Sequence, residues 1–436
     1  MEIIIAGAGS VGFNLAKTLS VKHNIILIDK NKDTLNLIAE SLDIMPLYGY
    51  VENPELYQNL LDKPYDIFIA VTNSDEANLF ATLIADDILD VNKKIIRLHN
   101  AYFSKSSIAE RLGIDEVIFP YTTTAQSVKL LLDFPKANNV KKFRFMPHKL
   151  ISIYVNQSSI DSVAQINSEQ QVVVGIEREK NFFIPNDNEL LEEGDLLYLF
   201  GTDEKICSLS QEINQNSPQK ISKIAIFGAN RLGVEIAKVF LETKADVKII
   251  EKDATLCKEA TEILKNQVTI INSHYIADTI YNEENVKNAD LIISTSRSDE
   301  ENIIRCLEAK EYNVPKTIAI NNDTNFYDLM HKLGIVTIRG PKTITYYSIL
   351  ERIFSNDTIR ERHYCGARGS IFMRKITFIS QKETTPILEQ ESQLFLVSEG
   401  RIMPFNAPTL LEVGDIIMLF TPTNGAQKVK NWMQTL

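Results

Sequence analysis

Cysteine is scarce in this sequence, and the four present (Cys207, Cys257, Cys306, Cys365) lie far apart with no CxxC pair. No disulfide framework is signalled, and reduced thiols in a reducing compartment are expected. The six histidines show neither HxH nor HxxxH spacing, which leaves no zinc site to assign. The GxSxG elbow, the HExxH metalloprotease helix and the GK[S/T] phosphate loop are also missing, so no catalytic residue is assigned. No apolar run approaches the roughly 18 residues that cross a bilayer as a helix. The N-terminus lacks a basic region and a small-residue cleavage site. Positive charge is in deficit, with 46 Lys and Arg against 57 Asp and Glu for a net −11. That balance disfavours nonspecific nucleic-acid binding and supplies no polybasic anchor for anionic lipid. A cytoplasmic chain with no nucleic-acid partner and no direct membrane insertion is expected.

At 436 residues, 44% hydrophobic and 24% charged, the chain has globular composition and is too long for one ordinary core. It also repeats itself. KIAIFGANRLG, ending at Gly233, echoes EIIIAGAGSVG, ending at Gly12. TNSDEANLFATLIA from Thr72 returns as TSRSDEENIIRCLEA from Thr295. LGIDEVIFP from Leu112 returns as LGIVTIRGP from Leu333, and LLEEGDLLYLF from Leu190 as LLEVGDIIMLF from Leu410. The matches keep their order at an offset of about 220 residues, the mark of a tandem duplication.

Each copy has two unlike parts. Ile3 to Ala6 is a short, wholly apolar run, as in a strand buried on both faces. Val11 to Leu19 reads as a helix, Asn24 to Asp29 as a strand and Thr34 to Ser41 as a helix. Ile67 to Val71, Ile95 to Leu98 and Val117 to Phe119 supply later strands. This alternation predicts an α/β fold with a Rossmann-like, doubly wound parallel sheet. After about Pro135 short alternating strands take over (FRFMPHKLISIYV, QVVVGIE, DLLYLFG), which predicts a small α+β module. SQEINQNSPQK from Ser210 is polar and reads as the linker between copies. The expected domains are 1–135 and 220–355, Rossmann-like, and 136–213 and 360–436, small α+β.

In the first copy the glycine motif has its structural context: a strand before it, a helix after it, and Asp29 closing the next strand. Gly7 permits the tight turn, Gly9 lets backbone approach a phosphate, and Gly12 lets the helix pack on the sheet. Ala8, Ser10 and Val11 complete the loop, where the helix N-terminus offers free N–H groups to an anion. Asp29 is placed to accept from ribose hydroxyls. Because Lys30 rather than an arginine follows it, NAD or an adenosine phosphate is favoured over NADP. The competing reading is a glycine turn that only packs. Ser74, Asp75 and Glu76 suit the start of a helix, leaving Thr72 and Asn73 for the ligand. Arg97 is either an ordinary surface charge or a phosphate partner. In the second copy Gly228 and Gly233 persist, but Asn230 stands where Gly9 stood and crowds the phosphate approach. Glu251 retains the ribose acceptor and Arg231 could return phosphate charge. Ala319 is read in the place of Arg97, and Asn321 in that of His99. The second site is degraded or differently selective.

GAGSVG with Asp29, then TNSDEAN, IIRLHN, LGIDEVIFP and IPNDNELLEEGD, followed by a second copy, resembles the TrkA family of peripheral regulatory proteins of bacterial Trk potassium uptake. The resemblance spans nearly the whole chain. It implies that each copy is a regulator-of-potassium-conductance unit, a Rossmann-like N-domain with a small C-domain. It further implies binding of NAD(H) and of ATP or ADP. The implied assembly is a homotetrameric cytoplasmic ring beneath a membrane-embedded potassium transporter subunit, peripheral on the inner face of the plasma membrane. The second C-domain departs from the pattern, because its ITFISQKETTPILEQ stretch is short and lacks an IPNDNEL-like approach. A regulatory subunit of another ion transporter is one alternative. A saccharopine-dehydrogenase-like or structural assembly protein is another. An NAD-dependent oxidoreductase is a third, but it would need a catalytic His, Lys or Tyr beside the nicotinamide, and no such constellation is present.

Overall fold

The computed structural model describes residues 1–61, 63–143, 146–156, 158–215, 220–275, 279–354, 360–377 and 383–436. The chain forms two compact units, residues 1–124 with 339–350, and residues 125–338 with 351–436.

The first unit is built on six strands, β1 (Glu2–Ala6), β2 (Asn24–Asp29), β3 (Met45–Tyr48), β4 (Tyr65–Ala70), β5 (Val91–Arg97) and β6 (Glu116–Ile118). They run in the order β3-β2-β1-β4-β5-β6. The central strand β1 pairs in parallel with β2 (Ile3 opposite Ile25) and with β4 (Ile3 opposite Ile67). Covered on both faces, it needs apolar residues at every position, and Ile3, Ile4 and Ile5 are fully buried. The helix Ser10–Leu19 turns Val11, Leu15, Ala16 and Leu19 inward, the spacing of one helical face. The strand order reverses between β1 and β4, and ligands lie at such switch points, outside the carboxyl ends of the strands. Strand β3 was not legible in the sequence. It is a short edge strand carrying Pro46 and no buried residue, so it lacks the apolar run that marks a central strand.

In the second unit β7 (Asn139–Lys142), β8 (Lys149–Tyr154), β9 (Gln171–Arg178), β10 (Asn181–Phe183) and β11 (Leu196–Gly201) form an antiparallel sheet, order β10-β9-β11-β8-β7. A second parallel sheet follows: β12 (Lys223–Phe227), β13 (Asp246–Glu251), β14 (Thr269–Asn272), β15 (Leu291–Ser294), β16 (Lys316–Asn321) and β17 (Val336–Arg339), in the order β14-β13-β12-β15-β16-β17. The last sheet comprises β18 (Arg360–Tyr364), β19 (Gly369–Lys375), β20 (Gln393–Ser398), β21 (Arg401–Pro404) and β22 (Ile416–Pro422), order β18-β19-β22-β20-β21. Read from its other edge, it has the connectivity of the β7–β11 sheet. The duplication expected from sequence is thus present in both parts of each copy. The two antiparallel sheets share one core, in which Val174, Tyr198 and Phe200 of the first pack with Tyr364, Met418 and Phe420 of the second.

The polar stretch read as a linker begins later than expected. The helix Asp203–Ile213 runs through Ser210, burying Ile206, Leu209 and Ile213; three apolar residues on one face outweigh the polar composition. Residues 216–219 of that stretch lie outside the described residues, as do 378–382 of ITFISQKETTPILEQ.

Candidate nucleotide site

At the switch point of the first unit the chain turns from β1 into the helix Ser10–Leu19. Gly7 has φ +111°, and a Cβ there would stand 3.0 Å from the backbone nitrogen of Thr72. A Cβ on Gly12 would lie 1.8 Å from the carbonyl oxygen of Gly7, so only glycine lets the helix come this close. Gly9 differs from both. It occupies the N-cap position with no side-chain cap, and a Cβ built on it meets no atom within 4 Å. The first N–H groups of the helix therefore face open space with a partial positive charge behind them. Such a terminus suits a phosphate.

Asp29 lies beside this loop, half-buried. Its carboxylate accepts from the N–H of Ala8 (2.7 Å) and of Asn31 (2.8 Å). Each carboxylate oxygen has a second lone pair, so Asp29 braces the loop and still has capacity for a hydroxyl donor. The cleft between them measures about 730 Å³, and Gly7, Ala8, Gly9, Ser10, Val11, Asp29, Thr72, Asn73 and Arg97 all line it. Gly12 lies beneath, as a packing residue. The structure adds residues that sequence reasoning missed. Lys30, Asn31, Thr34, Tyr50, Val51, Glu52, Val71, Ser74 and Ala77 complete the wall, joined by Lys342 from the helix Pro341–Phe354. No local signal marks Lys342, because it belongs to the second copy's sequence and reaches this cleft only through the fold.

The loop after β4 is held from below. Asn78, fully buried, accepts from the Thr72 N–H (2.8 Å) and hydroxyl (2.7 Å) and donates to the carbonyls of Thr72 (3.0 Å) and Arg97 (2.9 Å). Ser74 caps the next helix through the N–H of Ala77 (3.1 Å). Asp75 accepts from the N–H groups of His99 (2.7 Å) and Asn100 (2.8 Å). Burial pushes the Asp75 carboxyl up, but hydrogen bonds from the His99 ring and these N–H groups outweigh it and hold the pKa below the usual value. Arg97 is not a surface charge. It is 6% exposed, and its Nη2 donates to the carbonyls of Val71 (2.7 Å) and Thr72 (2.8 Å) and to Asn73 Oδ1 (3.1 Å). Burial brings its pKa down to about 10, which leaves it charged at neutral pH.

The second copy has the same backbone. Gly228 has φ +111°, and a Cβ on Gly233 would lie 1.9 Å from the Gly228 carbonyl oxygen. Asn230 takes the N-cap with φ −65° and ψ 173°, against −65° and −176° at Gly9. Glu251 is buried and accepts from the N–H of Ala229 and of Asp253, both at 2.9 Å. Arg231 is exposed. One sequence alignment needs correcting. Asn302 donates to the carbonyl of Ile320 as Asn78 does to that of Arg97. Asp299 accepts from the N–H of Asn322 as Asp75 does from that of His99. Ile320, not Ala319, therefore stands in the place of Arg97, and Asn322, not Asn321, in that of His99. From the glycine motif to this point the second copy is two residues longer, since Gly7 to Arg97 spans 90 residues and Gly228 to Ile320 spans 92, one more than a match of Arg97 to Ala319 assumes.

A family model for the TrkA-N domain matches residues 3–120 and again 224–341. The chain belongs to the TrkA-N domain family. It is similar over its full length to Trk system potassium uptake protein TrkA homolog 1 of Methanosarcina mazei, at 24% identity over 457 residues covering 100% of both chains. TrkA of Halomonas elongata is 26% identical over 370 residues, which cover 82% of this chain and 80% of that one. Among solved structures the GsuK RCK domain overlays 100% of this chain and 95% of its own with a TM-score of 0.64 at 15% identity. The GsuK channel bound to NAD overlays 100% and 79%, TM-score 0.66, also at 15% identity. Both show the same fold, two parallel sheets each followed by an antiparallel sheet.

Proposed function

We propose that this chain is the nucleotide-sensing regulatory subunit of a potassium uptake transporter, and that its first TrkA-N domain holds the nucleotide. The observation that carries the reading is the uncapped helix N-terminus at Gly9, open to a cleft with Asp29 beside it. Its support from outside the chain is the full-length likeness to Trk system potassium uptake proteins. NAD(H) and adenine nucleotides are the proposed ligands; one structural relative, GsuK, was solved bound to NAD and, separately, bound to ADP. The backbone N–H groups of residues 9–12 would hold phosphate oxygens, Asp29 the ribose hydroxyls, and Thr72 and Asn73 the far side of the cleft. Arg97 would act through the 71–73 loop that it holds.

A regulatory role needs no bond to be broken. The nucleotide has only to bind one arrangement of the subunits better than another. An affinity ratio of about fivefold to 150-fold supplies roughly 1–3 kcal/mol of coupling. The proposed assembly is a tetrameric ring of eight TrkA-N domains on the cytoplasmic side of the transporter, since closed assemblies repeat like units around an axis. No helix among the described residues is long and apolar enough to cross a membrane, so contact with the bilayer would run through the partner. Potassium flux into proteoliposomes holding the transporter should change when nucleotide is added, with the nucleotide recovered unconsumed. Flux indifferent to NADH, NAD, ATP and ADP would overturn the reading, as would catalytic oxidation of NADH.

A further inference from the structure

The two glycine loops have nearly the same backbone and opposite fates. At Gly9 the helix N-terminus is uncapped. At Asn230 the side-chain oxygen accepts from the N–H of Leu232 (3.0 Å) and of Gly233 (3.1 Å), while its amide donates to the carbonyl of Thr295 (2.7 Å). Oδ1 thus stands where an anion at that terminus would stand, satisfying the N–H groups it would need.

A second difference lies across the cleft. Ser74 caps Ala77 in the first copy as Ser298 caps Glu301 in the second, so Glu301 takes the place of Ala77, which lines the open cleft. Glu301 is hydrogen-bonded to Ser296 and faces Lys252 Nζ at 3.6 Å. Lys252 follows Glu251 as Lys30 follows Asp29. An ion pair therefore spans, in the second copy, the gap that Lys30 and Ala77 leave open in the first. The added carboxylate also disfavours a phosphate.

We infer that the second TrkA-N domain is a cradle sealed by its own side chains, Asn230 in the place of the phosphate and Glu301 with Lys252 across the mouth, so that each chain holds one nucleotide. This rests on the nucleotide reading above for the first copy only. The second copy then serves as the fixed scaffold of the pair, and a tetramer carries four ligands on eight TrkA-N domains.

Calorimetric titration of the full chain with NADH, and separately with ATP, tests this. Wild type should bind one nucleotide per chain. Asn230→Gly in a Glu301→Ala background should gain one further site over Glu301→Ala alone, and glycine is itself a well-tolerated N-cap residue, so the variant should fold. The reciprocal Gly9→Asn should lose the wild-type site or weaken it roughly tenfold to a hundredfold. Two sites in wild type would overturn the inference, and so would no gained site in a variant whose circular dichroism and melting are those of the folded protein. If wild type binds nothing and the opened variant gains a site, the sealing stands and the nucleotide reading of the first copy falls.

Discussion

Gly9 and Asp29 carry the candidate site in different ways. Gly9 contributes by having no side chain, and its helix keeps free donors for that reason. Asp29 braces the Ala8 N–H and also offers acceptors, so truncating it to alanine would loosen the loop together with any ribose contact. Asp29→Asn keeps the shape and one acceptor oxygen but sets an amide nitrogen against the N–H of Ala8 or of Asn31, so the melt of the free protein is read beside the titration. The substitution should weaken NADH by about 1.5–3 kcal/mol, the range for a hydrogen bond to a charged group. Unchanged affinity by titration would remove Asp29 from the site. Arg97 calls for a different expectation. Its Nη2 is committed to the carbonyls of residues 71 and 72 and to Asn73, so Arg97→Ala should weaken ATP and adenosine by similar factors through the displaced loop. A loss confined to ATP would instead make Arg97 a direct phosphate ligand.

At the scale of elements, buried polar side chains fasten strands to the loops beyond them. Asn78 and Asn302 each close the turn after the fourth strand of their sheet with bonds to backbone on both sides. Removing Asn78 strands buried donors and acceptors at about 1–3 kcal/mol each, so Asn78→Ala should lower the melting temperature of the free protein. Lys316, at the start of β16, donates to the carbonyls of Pro135 (2.5 Å) and Ala137 (2.6 Å), and burial pushes its pKa down to about 7. An unfolded lysine keeps its proton to about pH 10.4, so between these values the unfolded chain binds more protons than the folded one. Stability should therefore rise with pH from about 7 to 10, by up to about 1.4 kcal/mol per pH unit for one proton. Below pH 7 this dependence should vanish. Denaturant melts of wild type and Lys316→Met across pH 7–10 should diverge accordingly, and parallel curves would contradict the assignment.

At the scale of the whole molecule, the duplication is used asymmetrically. The first unit is completed by residues 339–350, which belong to the second copy's sequence. There Tyr346 Oη meets Thr18 Oγ1 at 2.7 Å, and Lys342 joins the wall of the first cleft. Lys342→Ala should weaken ATP by about 1 kcal/mol, roughly fivefold, and leave adenosine unaffected; equal effects on both would return Lys342 to the solvent. In the second unit the two antiparallel sheets stand on one core, with Tyr364 fully buried and its hydroxyl donating to the Val174 carbonyl (2.7 Å). Tyr364→Ala should cost about 3–5 kcal/mol, the range for a large aromatic removed from a core. Both sheets should then unfold together in a denaturant melt.

The duplication, the strand–helix alternation and the glycine loop with Asp29 could be read from sequence because each is local. A buried strand needs a short apolar run, a helix beside it needs its apolar face at turn spacing, and a tight turn needs glycine. Asn230 was legible for the same reason, as a side chain where the motif wants none. What could not be read depends on residues distant in sequence meeting in space. The register of β16, the burial of Arg97, the bar formed by Glu301 and Lys252 and the arrival of Lys342 belong to that class. Strand pairing and loop length set them, and any change in the length of a connection moves every later residue to a new partner. Two cradles, the second obstructed at Asn230, follow from local residue choice; the ion pair of Lys252 with Glu301 and the place of Lys342 in the first cleft follow only from how distant strands and helices pack.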